Sequence, residues 1–153
     1  MKKVLSALAV FLISIVGATA QRPGTVQWSA SAKQVSHAGD YVIALHAEVE
    51  NGWHVYSAKQ APGGPLPLVI RVEQGAPFSL DGAITGSNPI QHHDASFNLD
   101  TEYFTGTFLL NVPVKSTTQG SGDIPLAVRF QMCSDTTCMP PRTIHLVAKV
   151  NAS

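Results

Sequence analysis

Apolar side chains recur at every second position through most of this chain, and this alternation restricts its fold more than any other feature. In the clearest segment, 41–50, every odd-numbered residue is apolar and the even-numbered residues end in His46, Glu48 and Glu50. Four further segments alternate in the same way: 68–73, 104–114, 126–131 and 143–150. Because successive side chains of a β-strand point to opposite faces, each segment is typical of an antiparallel strand with one buried face.

Turn-forming clusters separate these segments. They are His37-Ala38-Gly39-Asp40, Asn51-Gly52, Pro62-Gly63-Gly64-Pro65, Asp81-Gly82 and Gly120-Ser121-Gly122-Asp123. Short alternating segments joined by such turns, without a convincing helical pattern, predict an all-β fold, an antiparallel β-sandwich. No internal repeat, linker or low-complexity tract divides the chain, so we expect 21–153 to form one domain.

The first 20 residues have a different character. Lys2 and Lys3 precede an apolar run from Val4 to Val16, and small residues follow it up to Ala20. This order is typical of a secretory signal peptide, here 1–20, cleaved after Ala20. The alternative, a membrane anchor, is disfavoured because the run is shorter than the roughly 20 apolar residues that span a bilayer. We therefore expect an exported domain with no membrane span after cleavage.

Charge is sparse and balanced, which narrows the possible partners. Only 13% of the residues are Asp, Glu, Lys or Arg, and the formal net charge is +0. Such a chain offers no basic surface for nucleic acid or anionic lipid, so we expect neither as a partner. The motifs of serine hydrolases, metalloproteases and phosphate-binding loops are missing from the sequence. The residues predict no cofactor.

Two cysteines separated by four turn-favouring residues, Cys133 and Cys138, mark the most informative segment. A hairpin there could bring their Cα atoms to the distance that a disulfide needs. Cys133 shares the parity of Arg129 and Gln131 and not that of Phe130, so we predict that it faces away from the core. Closing so short a loop stabilises a fold by only about 2 kcal/mol on the chain-entropy model. The bridge is therefore a better candidate for making and breaking than for stability.

Two other interpretations of this segment stay open. A permanent hairpin disulfide would make the domain a non-enzymatic binding or adaptor module. The pairs Met132-Cys133 and Cys138-Met139 also bring four soft sulfur atoms that could hold Cu(I). Zinc would need two further ligands, and the adjacent His92-His93 is interpreted as a solvated loop, so no metal site is assigned.

Four motifs occur in an order that resembles a known family. They are Gly52-Trp53-His54-Val55-Tyr56-Ser57, Pro62-Gly63-Gly64-Pro65, Glu102-Tyr103-Phe104, and Met132-Cys133 followed by Cys138-Met139-Pro140-Pro141. Together they resemble the N-terminal periplasmic domain of the thiol:disulfide interchange proteins named DsbD, from about Val26 to Val150. The resemblance implies an immunoglobulin-like β-sandwich in the periplasm that needs no cofactor.

The resemblance also implies an activity. In that family a thioredoxin-like domain reduces the cysteine pair, which then reduces disulfides on exported partner proteins, including those of cytochrome c biogenesis. The redox pair here would be Cys133 and Cys138, joined as a disulfide when oxidised. Cys138 is the sulfur expected in mixed disulfides with either partner.

The same resemblance implies supporting residues around the pair. His54 and Tyr56 are expected beside the cysteines. The segment 91–97 corresponds to a cap loop that shields the pair, with Asp94 and Phe97 as its candidate residues.

Charge and chain length add two expectations about the electron donor. No Lys or Arg lies between the cysteines and Asp135 does, so activation of a thiolate is expected to come largely from the partner's surface. Trp53, Tyr56 and Phe97 could shield the bridge from small thiols, although Trp53 is better interpreted as core. The chain ends at Ser153 without the membrane reductase and thioredoxin-like domains of full-length DsbD. We therefore expect the donor, a thioredoxin-like or membrane-linked thiol reductase, to be a separate protein.

Overall fold

The structure is a computed structural model and describes residues 24–36, 39–118 and 122–151. Within these ranges the chain forms twelve β-strands and no helix, so no described helix is long and apolar enough to cross a membrane. The strands are β1 (Val26–Gln34), β2 (Asp40–Val49), β3 (His54–Tyr56), β4 (Val69–Val72), β5 (Phe78–Leu80), β6 (Thr85–Gly86), β7 (Ile90–Asp94), β8 (Leu99–Phe104), β9 (Thr107–Ser116), β10 (Ile124–Phe130), β11 (Met132–Cys133) and β12 (Arg142–Asn151). The expected signal peptide, 1–20, and its cleavage site lie outside the described residues.

The strongest alternating segment forms one of the longest strand pairs. β2 pairs antiparallel with β9, and the register sets Ile43 opposite Val112 and Leu45 opposite Leu110. All four side chains are buried, as the alternation predicts. Because opposed residues of an antiparallel pair share a face, one register aligns the apolar faces of both strands.

The larger sheet runs in the order β4-β10-β12-β1-β2-β9-β5, with β6 also paired to β9. Its strands are antiparallel except that β1 pairs in parallel with β12. Trp28 of β1 contacts Phe108 of β9 and Phe130 of β10, with ring centroids 5.5 and 5.3 Å apart. The strands on both sides of β1 therefore pack their apolar side chains into one hydrophobic core, as in the predicted sandwich.

A second sheet of four short strands, β11-β3-β8-β7, carries the cysteine segment. The sequence predicts one continuous strand over 104–114, but the chain breaks between β8 and β9 at Thr105 and Gly106. Gly106 has a φ of 57°, a left-handed conformation that suits glycine. The break passes the chain from the small sheet to the large one, so Phe104 in one sheet stacks on Phe108 in the other.

Candidate functional site

The disulfide joins Cys133, the last residue of β11, to Cys138 on the opposite arm of a hairpin. The amide N–H of Met139 donates to the Met132 carbonyl (2.9 Å), and that of Ser134 donates to the Thr137 carbonyl (2.8 Å). These bonds flank the two cysteines, which therefore oppose each other as a non-hydrogen-bonded pair, the closer of the two antiparallel geometries. Their Cα atoms are 4.0 Å apart, slightly below the expected range. The predicted hairpin and disulfide are both present.

Ser134 organises the loop between the cysteines. Its Oγ accepts hydrogen bonds from the amides of Thr136 (3.4 Å) and Thr137 (3.2 Å). Such a side chain replaces backbone partners in a tight turn. The ring that the disulfide closes is therefore ordered by local contacts as well as by the bridge itself.

The two sulfurs lie in different environments. Cys133 is buried, with 1% of its surface exposed, whereas Cys138 is exposed. The prediction from parity that Cys133 faces away from the core is confirmed. Although β10 ends at Phe130 and Gln131 separates it from β11 in the other sheet, Phe130 and Met132 pack into the core while Cys133 lines a cleft on the opposite face. An incoming thiol can approach only the Cys138 side without displacing other side chains.

Gln131 fixes this change of sheet. Its Oε1 accepts a hydrogen bond from the Leu66 amide (3.0 Å), and its carbonyl accepts one from the Tyr56 amide (3.4 Å). Its Nε2 donates to the Met139 carbonyl at 3.5 Å. One residue thus links β3, the loop at 62–66 and the segment that leaves the cysteine hairpin.

Strand register brings the site residues to one face of the small sheet. Cys133 lies opposite His54, and Tyr56 lies opposite Tyr103. Since side chains alternate along a strand, the same face also presents every second residue of β7 and β8. These residues include Thr101, His92 and Asp94. The opposite face, with Met132, Val55 and Phe104, packs into the core.

This face forms one wall of a cleft of about 460 Å³, and the cysteine hairpin forms another. The described residues that line it are His54, Tyr56, His92, Asp94, Ala95, Ser96, Tyr103 and 133–138. No lysine or arginine is among them, and Asp94 and Asp135 are the acidic groups. Local charge therefore disfavours a thiolate, as expected from the sequence.

A hydrogen bond between Tyr56 and Asp94 connects β3 to the end of β7 inside the cleft. Tyr56 is almost fully buried, and its hydroxyl donates a 2.7 Å hydrogen bond to Asp94 Oδ2. Burial and this bond raise the pKa of Tyr56 far above its usual value of 10. Burial alone would raise the Asp94 pKa, but hydrogen bonds from Tyr56 and from the amides of Ser96 and Phe97 outweigh it and lower that pKa.

The segment proposed as a cap is mostly strand. Residues 91–94 belong to β7, and only 95–98 form the turn to β8. Phe97 lies edge-on to Tyr56, with ring centroids 6.3 Å apart, and does not line the cleft itself. His92 and His93 lie in the same strand, so their interpretation as a solvated loop is wrong. His92 faces the cleft, whereas His93 is exposed and its Nδ1 donates a 2.9 Å hydrogen bond to Asp100 Oδ1.

An aromatic cluster that the sequence does not reveal lies beside the disulfide. The His54 ring packs against Tyr103 at 4.4 Å and edge-on to Tyr56 at 5.0 Å. His92 also contacts Tyr103, at 6.0 Å. A local sequence pattern gives no signal for Tyr103 and His92, because their positions depend on the pairing of β8 with β3 and with β7. Trp53 packs against the core instead of lining the cleft, as its interpretation as core predicts.

The four sulfur groups of the copper hypothesis do not converge. Met132 is 1% exposed and belongs to the core cluster, on the face of β11 opposite to Cys133. In the described ranges no group of three or more His, Cys, Asp or Glu side chains is arranged to hold a metal ion.

Comparison with known sequences decides the family. The chain matches the family described as "Thiol:disulfide interchange protein DsbD, N-terminal" over residues 22–148. The chain belongs to the DsbD N-terminal domain family. The match includes the whole cleft and confirms the resemblance seen in the sequence motifs. No curated protein sequence matches the chain significantly.

Solved structures of related domains share the fold. The N-terminal periplasmic domain of ScsB from Proteus mirabilis superimposes with a TM-score of 0.60 at 20% identity, covering 81% of this chain and 46% of that one. The reduced DsbD N-terminal domain of Neisseria meningitidis gives 0.53 at 15% identity, covering 80% and 86%. A complex between the DsbD and PilB N-terminal domains of that organism gives 0.53 at 12%, covering 80% of each. These similarities confirm the immunoglobulin-like β-sandwich, and the chain spans less than half of the ScsB chain.

Proposed function

We propose that this domain relays electrons by thiol–disulfide exchange through Cys133 and Cys138. The observation that carries the proposal is the asymmetry of the pair, an exposed Cys138 bonded to a buried Cys133 at the edge of a cleft. Exchange proceeds through a mixed disulfide, and an asymmetric pair decides which sulfur forms it. Membership of a thiol:disulfide interchange family supports the same activity.

The two half-reactions use the sulfurs in fixed roles. A thiolate of the donor attacks Cys138, and Cys133 leaves as a thiolate; a second donor thiolate then releases the reduced domain. In the second half-reaction Cys138 attacks a disulfide of the acceptor, and Cys133 attacks Cys138 to release the reduced acceptor. Each half-reaction transfers two electrons and regenerates one form of the pair.

The partners follow from this chemistry and from the family. The donor we propose is a thioredoxin-like or membrane-linked thiol reductase, and the acceptors are exported proteins with disulfides. The complex of the Neisseria meningitidis DsbD and PilB N-terminal domains supports docking between such domains. We further propose that the signal peptide at 1–20 is removed and that the domain works in the periplasm, in keeping with a family of periplasmic domains.

Trapping of mixed disulfides in cells tests the proposal. Cys133→Ser leaves the exposed Cys138 without its resolving thiol, so covalent complexes with partners should accumulate and disappear on reduction. Cys138→Ser is the matched control, because the remaining Cys133 is buried and should trap little. A structural bridge would give no complexes with either variant, and this result would refute the relay.

A further inference from the structure

His54 lies directly opposite the buried cysteine. The antiparallel register of β11 and β3 pairs His54 with Cys133, so both side chains leave the sheet on the same face. Both also line the cleft. A titratable side chain therefore lies next to the sulfur that has to leave and return in each turn of the relay.

The imidazole of His54 has an unused nitrogen. Its Nε2 is buried and has no hydrogen-bond partner among the residues that the structure describes. The ring is held between Tyr103 and Tyr56, so its orientation is fixed by packing and not by a polar partner. A buried imidazole nitrogen without a partner is unfavourable unless another state of the protein supplies one.

Every element packed around His54 contributes a titratable or charged group. They are Tyr56 on its own strand, Tyr103 on β8, His92 and Asp94 on β7, and Cys133, Asp135 and Cys138 on the hairpin. Burial lowers the pKa of His54, the charges of Asp94 and Asp135 partly oppose this, and His92 adds to it. With its pKa below the usual 6.5, the imidazole is mainly neutral at pH 7 in the oxidised protein and can accept a proton.

We propose that His54 is the proton acceptor for Cys133. In the resolving step it takes the thiol proton of Cys133 as that sulfur attacks Cys138 in the mixed disulfide. The Cys133–Cys138 bond forms, the bond from Cys138 to the acceptor breaks, and the acceptor sulfur leaves as a thiolate with the electron pair. The imidazolium then releases its proton to water or to that thiolate. When a donor reduces the domain, the neutral imidazole first takes a proton from the donor thiol or from water, and the imidazolium passes it to Cys133 as that sulfur leaves.

The surroundings of Cys133 explain why such an acceptor is needed. Cys133 is 1% exposed, so its thiol cannot pass its proton directly to bulk water, and the thiolate is the attacking species. No lysine or arginine lines the cleft to stabilise that thiolate. Cys138 is exposed and can lose its proton to water, so only the resolving sulfur depends on His54.

Reaction of the reduced domain with an excess of dithiobis(nitrobenzoate), an aromatic disulfide, measures the reactivity of the two sulfurs in separate phases. The first nitrothiobenzoate is released when Cys138 attacks the reagent, at a rate that depends on reagent concentration. The second is released when Cys133 resolves the mixed disulfide, at a rate that does not. In His54→Phe, which keeps a packed ring, the second phase should be about tenfold slower at pH 7, equivalent to one unit of thiol pKa. Its pH midpoint should rise, and the first phase should be unchanged.

The matched control is His93→Phe, since His93 lies in the same sheet but outside the cleft and is exposed. It should leave both phases as in the wild type, and a cooperative urea transition of His54→Phe shows that the variant is folded. A second phase in His54→Phe with the wild-type rate and pH midpoint would overturn the role of His54 alone. The inference rests on the proposed exchange activity, and a wild-type domain that releases no second nitrothiobenzoate would overturn that activity instead.

Discussion

Reduction of the Cys133–Cys138 disulfide should lower the free energy of unfolding only slightly and leave the domain folded. The bridge joins residues five apart, so it closes a loop of six residues. On the chain-entropy model this loop removes about 7 cal/mol/K from the unfolded chain, or about 2 kcal/mol at 25 °C. Neither cysteine belongs to the main hydrophobic cluster, so the core that holds the sheets together does not need the bridge.

Folding and disulfide formation are thermodynamically linked. The free energy by which the bridge stabilises the native state equals the free energy by which folding stabilises the bridge against reduction. About 2 kcal/mol corresponds to a shift of about 40 mV relative to the same disulfide in the unfolded chain. The fold therefore stabilises the disulfide too little to prevent its reduction by thiols.

Urea and thermal unfolding of the oxidised and reduced domain, followed by circular dichroism, measure this difference. For a domain of this size the midpoint temperature should fall by about 8 °C on reduction, and unfolding should remain cooperative. A Cys133→Ala/Cys138→Ala double variant should unfold identically with and without the reductant. Loss of cooperative unfolding on reduction, or a decrease of about 4 kcal/mol or more, would show a structural bridge and refute the reasoning.

Three further perturbations test the site. Tyr56→Phe removes the hydrogen bond to Asp94 and should lower the free energy of unfolding by about 1.5 kcal/mol in urea titrations, with a raised Asp94 pKa by NMR; an unchanged pKa would contradict the assigned bond. The lowered His54 pKa means that the unfolded chain binds more protons, so stability should be complete above pH 6.5 and fall as the pH drops below it. In His54→Phe that part of the slope should vanish, and a profile identical to the wild type would exclude His54 as its source. Met132→Ala should lower stability by about 3 kcal/mol yet keep the disulfide exchange-active; parallel loss of the exchange rate in the folded variant would show that the core and the site are coupled.

The long strands could be predicted from the sequence because only one face of each strand is buried. The segment 41–50 is shifted by only one residue from β2 (Asp40–Val49), and Leu126, Val128 and Phe130 all face the core. Alternation is less informative where a strand is short or where the chain changes sheet. Three residues of β3 and two of β11 carry no usable period, and the alternation over 104–114 hides the break at Thr105 and Gly106.

The site was predicted in part for the same reason. The cysteine pair, His54 and Tyr56 follow from local motifs, and the structure brings them together with Asp94. Tyr103 and His92 could not be assigned, since only the non-local register of β7, β8 and β3 places them on the cleft face. Pairing between distant segments is information that a local pattern does not contain.

The reduction potential of the Cys133–Cys138 pair tests the central claim most directly. The purified domain would be equilibrated in a series of glutathione buffers, and its free thiols would then be alkylated and counted. The relay predicts a potential above about −250 mV, within the range of exchange-active disulfides. A potential below about −300 mV would mark a structural bridge and contradict the relay.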